Sequence, residues 1–170
     1  MTSFFITIAV AVAAIVGGVA LRGHPSEKIS SATTTATSTH ATALSDERYP
    51  HAEVTIGGKA FDALVADTEE LKDLGLGDRK GLEKDQAMLF PFDEPSYLGF
   101  WMKDMLFSID MLWLDADLRV VSFESNVSPK TYPKAFFPPK PAQYVIELSA
   151  GALSELGVKA GDKINLSAHR

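Results

Sequence analysis

The 170-residue sequence contains no cysteine. That excludes disulfides, thiolate metal centres, a cysteine nucleophile and the lipid-modified cysteine of a bacterial lipoprotein. Histidine is scarce and scattered. His24, His40, His51 and His169 show no ligand spacing, so neither a metal nor a cofactor is expected. There is no Gly-x-Ser-x-Gly elbow, and Gly75, Gly77 and Gly81 do not follow the order of a phosphate-binding loop. Positive charge is also in short supply. The formal net charge is −6, and residues 1–48 balance at three basic and three acidic side chains. The whole excess therefore lies in residues 49–170, with 13 Lys or Arg against 19 Asp or Glu. Nucleic acid and anionic lipid headgroups recruit cationic surfaces, so neither is an expected partner of this domain.

The first feature present is TSFFITIAVAVAAIVGGVAL, residues 2–21, which carries no charged side chain. As a helix it reaches about 30 Å, the thickness of a bilayer's hydrocarbon core. It exceeds the roughly 7–15 apolar residues of a signal peptide, and no basic residue precedes it. A membrane anchor is the expectation; the alternative is cleavage behind the small residues Gly18 and Ala20, which releases a secreted domain. Ser and Thr then fill 10 of the 16 positions from Ser30 to Ser45. With no apolar period, residues 22–48 read as a disordered tether with a reach of roughly 30 Å. Arg22 and Lys28 behind the span point the domain toward the cytoplasm. The Ser/Thr tether suits a domain held outside the membrane, and this extracytoplasmic placement is preferred.

From Tyr49 onward apolar and polar residues alternate between turn signals. HAEVTIGGKAFDALVAD reads as a hairpin around Gly57-Gly58. DTEELKDLGLG reads as a short helix capped by Asp67 or Thr68 and closed by Gly75 or Gly77. Strands are expected at Ala87–Phe90, Leu98–Met102, Ile109–Leu114 and Leu118–Phe123. Residues 125–143 hold five of the chain's nine prolines and read as a long irregular loop. QYVIELS alternates, with Tyr144, Ile146 and Leu148 on one face and Gln143, Val145 and Glu147 on the other. AGALSELG is a second short helix, and VKAGDKINL is a turn into a last strand. Many short strands, two short helices and no regular βαβ alternation predict an α+β fold: a compact β-rich domain with a curved sheet or partly closed barrel.

The run FWMKDMLFSIDMLWLD, residues 100–115, concentrates the chemistry. In IDMLWL both faces are mainly apolar, which predicts a central strand covered on both sides. Asp110 on that strand then needs a cation, hydrogen-bond donors or a proton. Lys103 and Arg79 are the nearest cations in chain order, and the backbone N–H groups of residues 103–108 are the neutral alternative. Asp110 has two readings: a brace for that connection, or part of a cleft with Trp101 as a stacking wall and Lys103 as its charge. Trp113, Met102, Met105 and Met111 read as core.

The segments AMLFPFDEPSYLGFWMKDMLFSIDMLWLDADLRVVSF and PAQYVIELSAGALSELGVKAGDKINL resemble the uncharacterised family known as domain of unknown function 192. The likeness runs from Val54 to Leu166. It rests on Met88–Phe90, Phe100–Lys103, Asp110, Tyr144–Gly151 and Val158–Ile164. The sequence departs from the family pattern at Gly77, where Met is usual, and at Ala87, where Gly is usual. The resemblance implies a compact β-rich domain, commonly exported or anchored through an N-terminal segment, and implies no reaction.

Three functions fit these residues. The first is a non-catalytic ligand-binding or accessory module at the cell envelope, binding a small polar ligand or an envelope protein. Its candidate residues are Trp101, Lys103, Asp110, Arg79, Tyr132 and Glu147. The second is a small hydrolase that pairs carboxylates among Asp104, Asp110 and Glu147. The third is a protein-docking domain that uses Tyr132, Phe136 and Phe137. The binding module is preferred, because among the domain's 19 acidic residues some carboxylate pair always looks suggestive and none is singled out as catalytic.

Overall fold

The computed structural model describes residues 46–168. The expected anchor at 2–21 and nearly all of the tether lie outside those residues. Among the described residues no helix is long and apolar enough to cross a membrane.

Nine strands and two short helices follow in the order β1 (His51–Ile56), β2 (Lys59–Val65), α1 (Glu69–Leu74), β3 (Gln86–Ser96), β4 (Phe100–Trp101), β5 (Ile109–Leu114), β6 (Val120–Val127), β7 (Ala135–Phe136), β8 (Ala142–Ser149), α2 (Ala152–Glu155) and β9 (Asn165–Ala168). The β1–β2 hairpin turns on Gly57 and Gly58, with φ of 57° and 83°. Both values lie in the left-handed region, where glycine meets no steric penalty. At α1, the Thr68 hydroxyl accepts from the Leu71 N–H at 3.3 Å, and Gly75 ends the helix with φ of 49°. A six-residue helix depends on such a cap, because it forms few hydrogen bonds of its own. Thr68→Ala is expected to lower stability by about 1 kcal/mol, measured by urea denaturation.

Seven strands form one sheet in the order β6-β5-β8-β3-β2-β1-β9, and β4 pairs with β7 in a separate ribbon. All pairs in the large sheet are antiparallel except β2 and β3, which run parallel across the α1 crossover. The sheet curves without closing. At one corner the Val120 N–H donates to the Asp162 carbonyl at 2.9 Å, and the Ile164 N–H donates to the Leu118 carbonyl at 2.9 Å. The turn before β9 thus reaches the start of β6, while β9 itself pairs with β1. The fold is the expected β-rich one, in its curved rather than closed form.

Each face of the sheet carries a core. One gathers Leu64, Met88, Phe90, Met111, Trp113 and Val145 beneath the connections that hold Leu76, Met102 and Met105. The other gathers Val54, Phe61, Leu89, Leu112, Ile146 and Leu148 beneath Leu153 of α2 and Val158. Strand β5 divides its side chains between the two, and all six of its residues are buried, as its two apolar faces require. Strand β8 does the same, with Val145 in the first core and Ile146 and Leu148 in the second.

Four elements differ from the sequence expectation, the first being β4, which is only Phe100–Trp101 where a strand over Leu98–Met102 is expected. Strand β3 runs on to Ser96, because it holds β8 beyond Phe90 and resumes pairing after a bulge. Strand β6 extends to Val127, since β5 needs a partner along its whole length. The proline-rich loop contains a short turn of 3₁₀-helix at Pro129–Thr131 and the two residues of β7 that pair with β4.

Candidate functional site

Asp110 lies on β5 opposite Leu148, so it belongs to the face of the second core, and it is 0% exposed. Its carboxylate accepts three backbone N–H groups: Asn126 at 2.8 Å, Gly151 at 2.9 Å and Leu153 at 2.9 Å. Asn126 sits in the β6 bulge with φ of 54°, where pairing with β5 shifts register. Its N–H has left the regular ladder there, and the carboxylate supplies the acceptor. Gly151 and Leu153 begin α2, a helix with no side-chain cap of its own. Asp110 is thus a cap delivered from a neighbouring strand. Neither Lys103 nor the 103–108 connection supplies its partners, contrary to the sequence expectation. Chain order misled here, because the donors lie 16 to 43 residues downstream.

Arg79 is occupied elsewhere. Its guanidinium pairs with Asp46 at 2.5 Å and lies over the Tyr49 ring at 5.5 Å. Lys103 lies 3.8 Å from Asp104, and both side chains are more than half exposed. The carboxylates expected for hydrolysis are not brought together. Asp110 faces one core, Glu147 faces the other, and Asp104 stands in solvent.

Glu147 stands directly between Met88 of β3 and Met111 of β5. Directly opposed residues share a sheet face, with roughly 4.5–5.5 Å between Cβ atoms. The carboxyl group therefore lies in the methionine-containing core. The residue is 5% exposed and has neither a hydrogen bond nor an ion pair among the described residues. Burial alone pushes its carboxyl up to about 8. A group destabilised in its charged form by desolvation, with a trace of solvent contact but no protein donor or cation to relieve it, is the most perturbed ionisable side chain among the described residues.

The second concentration of unusual side chains is the β4–β7 ribbon. Phe100 turns inward, edge-on to Phe90 and Trp113, which leaves Trp101 outward and 54% exposed. Trp101 meets Tyr132 edge to face, with ring centroids 6.0 Å apart. Phe137, 62% exposed, lies across Gly99, where any Cβ would run into its ring. Tyr97 is exposed as well. Phe136 is buried against the core and so does not belong to the exposed surface. From Ser125 to Ile146 the chain carries Lys130, Lys134 and Lys140 and no acidic residue. An aromatic ledge, one strand of which lies in a locally cationic stretch of chain, thus stands on a domain that is acidic overall. Residue types alone single out Trp101, Lys103, Tyr132 and Phe137; the ledge adds the three lysines, and the β4–β7 pairing brings the two stretches of chain together.

A groove of about 270 Å³ lies between the β1–β2 turn and residues 158–165, lined by Thr55, Asp162, Lys163 and Asn165 among others. It contains none of the sequence-predicted residues. No group of three or more His, Cys, Asp or Glu suited to a metal ion occurs among the described residues.

The chain is 34% identical over 110 residues to UPF0127 protein TK1120 of Thermococcus kodakarensis, covering 64% of this chain and 68% of that protein. A crystal structure from Sinorhizobium meliloti 1021, whose name proposes a transcription regulator, superimposes with a TM-score of 0.63 at 26% identity. That match covers 69% of this chain and 94% of the other. A protein of unknown function from Novosphingobium aromaticivorans gives a TM-score of 0.62 at 27% identity, covering 68% of this chain and 83% of that one. The profile of the family described as "Uncharacterized ACR" matches residues 52–166, nearly the whole described domain. The chain belongs to this uncharacterised family, DUF192.

Proposed function

We propose that the domain is a non-catalytic binding module, tethered at the outer face of a membrane through residues 2–21, whose ligand is an anionic glycan of the cell envelope. The observation that carries this reading is the β4–β7 ledge: exposed Trp101, Tyr132 and Phe137, on a ribbon one of whose strands lies in an acid-free stretch that carries Lys130, Lys134 and Lys140. Exposed aromatic faces stack on the apolar faces of sugar rings and bury apolar area there. Ammonium groups in that acid-free stretch attract carboxylate or phosphate on the polymer, and salt screens that attraction. The acidic excess in the rest of residues 49–170 disfavours such a polymer there, which biases it toward the ledge.

Retention of the full-length protein in nonionic detergent on polygalacturonate and on neutral dextran tests this. The wild type is expected to bind polygalacturonate, release at high salt and ignore dextran. Trp101→Ala is expected to weaken binding by about 5- to 10-fold. Its melting temperature should stay close to wild type, because an exposed side chain contributes little to folding. Equal retention on dextran would remove the role of charge, and no retention on either polymer would remove the glycan.

A second reading, docking of a protein partner, has one specific observation in its favour. Phe137 and Leu106 are each 62% exposed, which is high for large apolar side chains on a monomer. Retention that survives high salt and is lost in Phe137→Ser, but not in a variant with Lys130 and Lys134 changed to Gln, would favour it.

A further inference from the structure

We infer that Glu147, Met88 and Met111 form a binding site for a soft monovalent cation of the copper(I) class. Four of the chain's five methionines, Met88, Met102, Met105 and Met111, lie in one core, and the core on the opposite sheet face has none. Methionines used only as filler have no reason to gather around a carboxylate, since an apolar core is best served by excluding one. Here Met88 and Met111 flank Glu147 as its direct cross-strand neighbours. Their thioethers, on unbranched and adaptable side chains, extend from the same face as the carboxyl. Met102 and Met105, in the connection between β4 and β5, pack on the same core from above the sheet.

The chemistry of this donor set is selective. Thioethers are soft, neutral donors that favour copper(I) over zinc, magnesium or calcium. Two or more of them supply no charge, so a monovalent ion bound by them alone would leave a buried positive charge. One carboxylate brings the site to neutrality. Glu147 has that role open: it is 95% buried, and no cation or hydrogen-bond donor among the described residues occupies it. Its trace of solvent contact gives the ion a way in. Imidazole and thiolate, the commoner donors for copper and zinc, are absent from this core. The site is distinct from the aromatic ledge and does not depend on the glycan reading.

Silver(I) nitrate is the probe, since silver(I) shares the soft monovalent character and is inert to air oxidation. Full-length protein in chloride-free buffer with nonionic detergent is loaded, dialysed and assayed for metal, with zinc(II) in parallel. The expected result is about one silver ion retained per chain, with a rise in melting temperature. A Met88→Leu/Met111→Leu double variant is expected to lose that ion. It conserves core volume, so its fold should survive, as circular dichroism will report. Glu147→Gln should retain silver about tenfold more weakly. Equal silver retention by the folded Met88→Leu/Met111→Leu variant, no retention by wild type, or retention of zinc in place of silver would each overturn the assignment.

Discussion

Replacing Asp110 with alanine is expected to destabilise the domain by about 3–5 kcal/mol, since each of the N–H groups it orphans costs roughly 1–3 kcal/mol when left without an acceptor. The three donors differ in what they lose. The Leu153 N–H is buried and finds no replacement, while those of Asn126 and Gly151 are partly buried and recover some hydration. Three pieces of structure come loose together: the β6 bulge, the turn after β8 and the first turn of α2. Asp110→Asn separates acceptor from charge. Oriented with its carbonyl toward Asn126 and Gly151, the amide keeps two of the bonds and sets an NH₂ against the Leu153 N–H. Its loss should be about half that of alanine. For a domain of this size the alanine variant should melt roughly 10–20 °C lower. Urea denaturation of both variants measures the two losses, and an alanine variant that melts within about 3 °C of wild type would mean that the carboxylate is not the brace described.

Much of this fold is legible in residue order, because its signals are local. The Gly57-Gly58 pair marks its hairpin, Thr68 its helix, and the doubly apolar IDMLWL its buried strand. What stays hidden depends on distance. The parallel pairing of β2 with β3 leaves no mark that separates it from another hairpin edge, since a strand buried on both faces reads the same in either direction. The ribbon of β4 and β7 is two residues long on each side, too short to show a period. Asp110 announces that it needs donors but not which ones, because its partners are backbone N–H groups at 126, 151 and 153 that carry no residue signature. Glu147 misleads differently. On an alternating strand it reads as the polar side, yet the connections carrying Leu82, Met102 and Met105 cover that face as well. The ledge was visible only in pieces: Trp101 and Tyr132 lie 31 positions apart and meet through the Phe100–Phe136 and Trp101–Ala135 pairs.

Raising the pH is expected to destabilise the metal-free protein, and Glu147 fixes the sign. Its carboxyl is pushed from the ordinary value of 4.5 up to about 8 in the folded state. The folded protein therefore holds a proton that the unfolded chain releases more readily, and stability falls as pH rises between the two values. Below about pH 4.5 both states are protonated and this contribution is fully present; above about pH 8 both are ionised and it is gone. A shift of this size corresponds to a loss on the order of 5 kcal/mol across the window. Other carboxylates set the acid limit of the curve, so the informative comparison is with variants measured at the same pH. Glu147→Gln preserves shape and removes the titration, so its stability should be nearly flat from pH 6 to about 8.5 while that of the wild type falls. Glu147→Met, placed between Met88 and Met111, should go further and exceed wild type at about pH 8.5, because an apolar side chain of similar volume no longer has a charge to desolvate. Urea denaturation at a series of pH values gives both slopes directly. A wild-type curve parallel to that of Glu147→Gln would show that the carboxyl titrates near its ordinary value, and that water or a neighbouring donor reaches it in solution.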